Sequence, residues 1–184
     1  MSDSLAAFCV DIRDILAEMD DREGRDRVRH RLETLLADNA FCERFVGVNS
    51  PPGVEEIYQD ADLGFCVLAY NMADARQSPP HDHGDSWAVY GQASGYTDMT
   101  LWSIVGTHEP DCVDIEATGQ FRLNPGQAGL FDVGEIHSIQ YEQGAKFVRV
   151  TGTDMKRVER RVYDHEAGTV KVIEQIGTGT AKVS

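Results

Sequence analysis

Two histidines separated by one residue, His81 and His83, are the side chains in this sequence whose type and spacing best suit chemistry. In an extended segment, residues i and i+2 point to the same face, roughly 6.6 Å apart along the chain. Two imidazoles at that separation can turn onto one metal ion, each placing a nitrogen about 2.1 Å from it. Pro79 and Pro80 precede the pair and restrict the backbone that metal binding would otherwise have to order. The pair therefore predicts a metal site.

A third histidine, His137, ends the stretch GQAGLFDVGEIH at positions 126–137. The stretch predicts a glycine-rich loop, then a short strand, then a tight turn at Gly134, where glycine adopts turn conformations at little cost. The other three histidines lie in charged or turn-rich segments and are predicted to be surface residues: His30, His108 and His165.

The H-x-H pair and the glycine-flanked His137 resemble the two motifs of the cupin superfamily, whose members fold as a double-stranded β-helix barrel. The resemblance extends from about residue 54 to residue 173, with Asp132 where the second motif usually has proline. It implies that His81, His83 and His137 are the metal ligands.

Many cupins add a glutamate ligand four or five residues after the second histidine, but Trp87 and Ala88 occupy those positions here. A site of three neutral imidazoles leaves a bound ion its full positive charge and leaves adjacent positions open for substrate and dioxygen. Imidazole also suits zinc, nickel and copper, so the ligand type alone does not choose the metal.

The three-histidine variant is similar to the thiol dioxygenase branch, the cysteine and 3-mercaptopropionate dioxygenases. The similarity lies in the segments HDHGDSWAVY (81–90) and GEIH (134–137). It implies Fe(II) as the metal and the addition of both oxygen atoms to a thiolate, giving a sulfinate. Where the family alternates serine, histidine and tyrosine, this chain has Phe147, Arg149 and Thr151.

Strand parity predicts which other side chains face the pocket. If His81 and His83 point inward, so do Tyr90 and Gln92, which we predict to be catalytic through hydrogen bonds to the oxygen species. Arg149 is expected in the same cavity, where a guanidinium could clamp a substrate carboxylate by two parallel hydrogen bonds.

Two further substrate-binding residues are predicted, Thr151 and Trp87. For Arg149 an alternative stays open, because a buried arginine needs a charged partner. That partner could be Glu55, Glu56 or another internal acid instead of a substrate.

The charge of the chain excludes several classes of partner. Seventeen basic residues against 31 acidic ones give a net charge of −14, which repels nucleic acid and anionic membrane surfaces. The four cysteines are widely separated, and the N-terminal residues have neither a basic stretch nor a long apolar one. We therefore expect a cytoplasmic, thiol-reduced protein, monomeric or homodimeric, whose partners are a small-molecule substrate and dioxygen.

The elements that must position these residues change character near residue 49. Residues 1–48 show helical spacing, residues 49–176 show short apolar or alternating runs that predict an all-β barrel, and residues 177–184 are a predicted flexible tail. The predicted strands are 54–58, 65–72, 87–93, 97–105, 113–122, 129–133, 137–141, 146–151, 158–163 and 169–173.

Three hypotheses of function follow. The first is a mononuclear non-haem iron dioxygenase that oxidises a small thiol acid or a related organic acid. The second is a zinc or nickel enzyme acting as a Lewis acid in a lyase, hydrolase or isomerase reaction. The third is a non-catalytic module that binds a small ligand.

Overall fold

Three helices begin the chain: α1 (Asp3–Glu18), α2 (Arg22–Leu36) and α3 (Asn39–Val46). The computed structural model describes residues 3–109 and 111–173. Asp21 caps α2, since its side chain accepts hydrogen bonds from the backbone nitrogens of Glu23 and Gly24. Asp38 caps α3 in the same way. The predicted N-terminal helical segment is thus confirmed.

Eleven strands follow within the described part of the chain, together with a 3₁₀ turn at Met155–Arg157. The strands are β1 (Gly53–Gln59), β2 (Cys66–Asn71), β3 (Arg76–Gln77), β4 (Ala88–Ser94), β5 (Thr97–Glu109), β6 (Cys112–Leu123), β7 (Ala128–Phe131), β8 (Ile136–Tyr141), β9 (Lys146–Thr151), β10 (Arg160–Asp164) and β11 (Thr169–Ile173). All except β3 coincide with predicted runs. β3 has only two residues, both exposed, and no apolar alternation marks it.

The strands form two antiparallel sheets that lie face to face. The first sheet has the order β1-β2-β9-β4-β7 and the second the order β10-β11-β6-β5-β8-β3. Because strands far apart in sequence are neighbours, the chain crosses repeatedly between the sheets, as in jelly-roll barrels. The predicted fold class, an all-β barrel-like sandwich behind a helical segment, is confirmed.

The helices cover the outer face of the first sheet. The two faces of strand β4 pack against different layers. Val89 belongs to the core shared with the helices, whereas Tyr90 faces the space between the sheets. Gly91 permits the close approach of α2, since a Cβ there would lie 2.7 Å from side-chain carbons of Leu32 and Leu36. The central strands of this sheet are therefore buried on both faces.

Two sequence expectations concern the chain outside this sandwich. The predicted flexible tail, 177–184, lies outside the described residues. No described helix has the length and apolar character that crossing a membrane requires.

Candidate metal centre and cavity

The backbone places His81 beside His137. The His81 amide donates to the His137 carbonyl (2.8 Å), and the His137 amide donates back to the His81 carbonyl (3.0 Å). On its other side, His81 forms an isolated bridge with Val162 of β10. The segment that carries His81 and His83 therefore lies between β8 and β10, where both neighbours fix its position.

The three predicted ligands converge in space. Their ring centroids are 5.5 Å apart for His81 and His83, 4.6 Å for His81 and His137, and 4.8 Å for His83 and His137. One ligand nitrogen from each ring lies within 4.8 Å of the others. His83 and His137 are buried, and Phe131 packs 3.9 Å from the His137 ring. The arrangement could hold a metal ion.

The hydrogen bonding of these rings fits a metal ion. His83 Nδ1 and both ring nitrogens of His137 are buried and have no hydrogen-bond partner among residues 3–109 and 111–173. Buried polar atoms are nearly always hydrogen-bonded, so unsatisfied nitrogens on rings that converge fit a metal ion as their partner. His81 Nδ1 donates to the Pro79 carbonyl (2.9 Å), which leaves its Nε2 free, as outer hydrogen bonds do in metal sites.

The three imidazoles are neutral at physiological pH. Burial lowers the pKa of His81 from 6.5 to about 4. Burial and the neighbouring rings lower the pKa of His83 and of His137 well below 6.5. Neutral imidazole is the form that binds metals.

Metal binding is therefore expected to release no protons from these histidines. At a pH of about 6.5, three imidazoles of ordinary pKa would release about 1.5 protons together. Calorimetric titration of nickel into the metal-free protein, in buffers of different ionisation enthalpy, should give the same apparent enthalpy in each. The slope of the apparent enthalpy against the ionisation enthalpy of the buffer gives the number of protons released. A slope that corresponds to one proton or more per metal ion contradicts the expectation. Below a pH of about 4, protonation of His81 should weaken binding.

Asp82, between the two histidines, has a structural role. Its buried carboxylate accepts from the amides of Gly84 (3.0 Å) and Arg161 (2.9 Å) and from the Tyr163 hydroxyl (3.3 Å). Gly84 has a φ of 57°, and a Cβ there would lie 2.2 Å from the Glu159 carbonyl oxygen. These contacts tie the histidine pair to β10.

The turn before His137 is held by helix α2. Arg25 forms an ion pair with Asp132, the residue that stands where the resembling motif has proline. Arg22 pairs with Glu135 at 2.6 Å. The carboxylate of Glu33 accepts from the Ala128 amide at 3.0 Å, at the start of β7. The helical segment therefore contributes to the position of the third ligand.

A cavity of about 390 Å³ lies between the two sheets and reaches His81. This volume is in the range of small-molecule sites. Both sheets contribute apolar and aromatic side chains to its wall, among them Leu68, Tyr70, Ile139 and Phe147. The cavity and the histidines thus form one candidate site.

Arg149 lies in this cavity with its side chain among aromatic rings. Its Cζ is 5.0 Å from the ring centre of Tyr70 and 5.9 Å from that of Tyr90. Arg149 is 9% exposed, its Nε has no hydrogen-bond partner, and it forms no ion pair with any described residue. The alternative partners Glu55 and Glu56 are thus not paired with it.

Tyr90 is also brought to the site. Its hydroxyl lies 3.2 Å from His83 Nε2, and its side chain lines the cavity beside Arg149. Tyr90 is therefore placed where the sequence predicted a hydrogen-bonding residue.

Three predicted site residues are not brought to the cavity wall. Gln92 shares the inward parity of Tyr90, but its amide binds the Ser94 carbonyl and the Thr97 hydroxyl, each at 2.8 Å. Thr151 is buried and donates to the Thr153 carbonyl at 2.8 Å. Trp87 has the opposite parity and packs in the core shared with the helices. These three positions correct the predicted pocket lining.

Two residues of the cavity wall were not predicted from the sequence. Arg160, on β10, lines the cavity from the second sheet, and Tyr70, on β2, lies against Arg149. Burial raises the pKa of Tyr70 to about 12. The sequence signal for Arg160 is the arginine- and lysine-rich stretch 156–161, which ends in β10, a strand whose partners the sequence does not reveal.

Comparisons with known proteins give a likeness of fold. No protein-family model matches the chain, and no curated protein matches it. Among similar solved structures, KdgF from Halomonas sp. has 13% identity over 53% of this chain and 74% of its own, with a TM-score of 0.41. The Cnp3 cupin domain of Schizosaccharomyces pombe has 12% identity, coverages of 55% and 60%, and a TM-score of 0.41. A cupin superfamily protein from Desulfitobacterium hafniense has 12% identity, coverages of 59% and 86%, and a TM-score of 0.41.

Proposed function

We propose that this protein is a mononuclear non-haem iron dioxygenase that oxidises a small thiol acid with molecular oxygen. The observation that carries the proposal is the convergence of three neutral histidines, two of which have unsatisfied ring nitrogens, beside a cavity that contains a buried arginine without an ion pair among the described residues. The histidines would hold the metal, and the arginine would bind the acid group of the substrate. The resemblance of the histidine segments to thiol dioxygenases supplies the reaction class.

His81, His83 and His137 are the proposed ligands. A ferrous ion held by them would supply the dioxygen chemistry that thiol oxidation requires. The absence of a carboxylate beside these rings in the described part of the chain keeps the ligand set neutral. Zinc, nickel and copper are also compatible with such a set, so the metal is a proposal that loading experiments decide.

Arg149 would orient the substrate. A buried guanidinium without a charged protein partner is costly, and a carboxylate that accepts two hydrogen bonds from it offsets that cost. The rings of Tyr70 and Tyr90 restrict the guanidinium on the sides they cover. The bound acid group would therefore sit in a defined position, with the rest of the molecule directed toward His81.

Tyr90 would hold a proton near the reacting group. Its hydroxyl lies 3.2 Å from His83 Nε2 and in the same cavity as Arg149, so it can donate a hydrogen bond to a substrate oxygen or sulfur atom. In the resembling enzymes a tyrosine on another strand is part of the relay, and Thr151 stands near that position here.

Oxygen consumption by iron-loaded protein tests the proposal. With 3-mercaptopropionate or cysteine, one dioxygen should be consumed for each thiol, converting R–SH and O₂ into R–SO₂H. Protein loaded with zinc should consume none. The Tyr90→Phe variant, compared with the parent at full iron occupancy, should turn over more slowly, by about tenfold or more. If a panel of thiol acids gives no oxygen uptake with fully iron-loaded protein, the proposal is wrong, and the Lewis-acid and ligand-binding hypotheses take its place.

A further inference from the structure

A second arginine faces the cavity from the opposite sheet. Arg149 belongs to β9 of the first sheet, and Arg160 begins β10 of the second. Both line the cavity that reaches His81. The space between the sheets therefore receives one guanidinium from each wall.

Neither guanidinium is neutralised by the described residues. The side chain of Arg160 is partly buried and forms no hydrogen bond or ion pair within the described ranges, and the side chain of Arg149 forms no ion pair there. Its sequence neighbours differ, since Arg161 lies 3.7 Å from the Asp82 carboxylate and Arg157 lies 3.8 Å from that of Asp154. Burial and the nearby Arg149 lower the pKa of Arg160.

The charges that line the cavity have a positive sum. Three cationic side chains of the wall, Arg149, Lys156 and Arg160, are opposed by two acidic ones, Glu56 and Asp154. The carboxylate of Asp154 is already engaged, because it caps the 3₁₀ turn by accepting from the Lys156 amide at 3.0 Å. This surplus is notable in a chain whose net charge is −14. Like charges in a partly dry cavity repel unless an anion lies between them.

We propose that Arg149 and Arg160 together bind a substrate that carries two negative charges. The substrate class is a small organic dianion, with the charges on two carboxylates or on one phosphonate-type head group. The proposal deepens the proposed function by naming the charge of the substrate, and it rests on that function only in taking this cavity as the substrate site.

Binding measurements on the full chain test the proposal without turnover. Calorimetry at mildly alkaline pH compares succinate, methylphosphonate and propionate, which present two carboxylates, one doubly charged head and one carboxylate. At least one of the two dianions should bind about tenfold or more tightly than propionate. Preference for succinate identifies the substrate as a dicarboxylate, and preference for methylphosphonate identifies it as a molecule with one doubly charged head group.

The Arg160→Gln variant should remove that preference, because dianion binding should weaken much more than propionate binding. The matched control, Arg157→Gln, changes an exposed arginine outside the cavity and should keep the preference. Equal binding of all three anions, no binding of any, or a preference that survives in Arg160→Gln overturns the proposal. Dianion preference without oxygen uptake would refute only the proposed reaction, whereas uptake without dianion preference would refute only the present inference.

Discussion

The His137→Ala variant is expected to lose the bound metal and, with it, all metal-dependent activity. His137 lies at the centre of the cluster, with its ring 4.6 Å from that of His81 and 4.8 Å from that of His83. Loss of a residue that only supports a ligand typically weakens metal binding about 10- to 100-fold, so loss of a ligand itself should exceed about 100-fold. Elemental analysis after gentle purification and a metal titration measure the effect.

The metal-free variant should remain folded. Both ring nitrogens of His137 lack partners in the described structure, so the substitution removes unsatisfied polar atoms together with some packing. Circular dichroism and thermal unfolding of the metal-free proteins separate loss of the site from loss of the fold. His108→Ala is the matched control, because His108 is exposed and contacts Asp114 on the hairpin. Metal retention by a folded His137→Ala protein would exclude His137 as a ligand.

The Arg149→Met variant should lose substrate binding while retaining metal. Removal of one partner of a buried charge pair typically costs about 2–5 kcal/mol of binding free energy. We therefore expect the KM for an acidic substrate to rise by about 30-fold or more, with the iron content unchanged. Steady-state oxygen uptake and metal analysis on the same preparation measure both quantities.

The free energy of unfolding of the Arg149→Met variant should not fall, in contrast to its free energy of substrate binding. An apolar side chain of similar length removes the desolvation cost that a buried guanidinium without a charged partner imposes on the ligand-free fold. Denaturant unfolding of the ligand-free protein should therefore show Arg149→Met at least as stable as the parent. Arg122→Gln, which alters an exposed pair with Asp98, is the control and should leave the KM unchanged. A strongly destabilised Arg149→Met would show that the arginine supports the fold and not a ligand.

The parts of the fold that sequence could predict are those with a strong local signal. Helical spacing marked α1 to α3, and alternation marked every strand except the two-residue β3. The pairing of His81 and His83 followed from period-two geometry, whereas the convergence of His137 with them was implied by the resemblance of its segment to the second cupin motif. Parity also placed Tyr90 and Arg149 on the inner face of the first sheet.

Parity alone could not predict which inward side chains reach the cavity. Gln92 and Thr151 have the expected parity, yet nearby partners, Thr97 and the Thr153 carbonyl, take up their polar atoms. Trp87 lies just before β4 and points to the helical layer, where a large apolar side chain gains more from burial. Arg160 depends on how the two sheets face each other, which is a long-range property that local pattern does not encode.

The contacts of helix α2 with the turn before His137 have a consequence for control of the site. Where the resembling motif has a proline, which stiffens a turn locally, Asp132 joins the turn to Arg25 on a separate layer of the molecule. The position of the turn therefore depends in part on a separate element, helix α2, through this ion pair. By thermodynamic linkage, a displacement of α2 that breaks these ion pairs would lower the affinity of the proposed metal site, and bound metal would oppose that displacement by the same free energy. The aspartate at position 132 thus makes the position of a proposed metal ligand, His137, depend on the position of the helical layer.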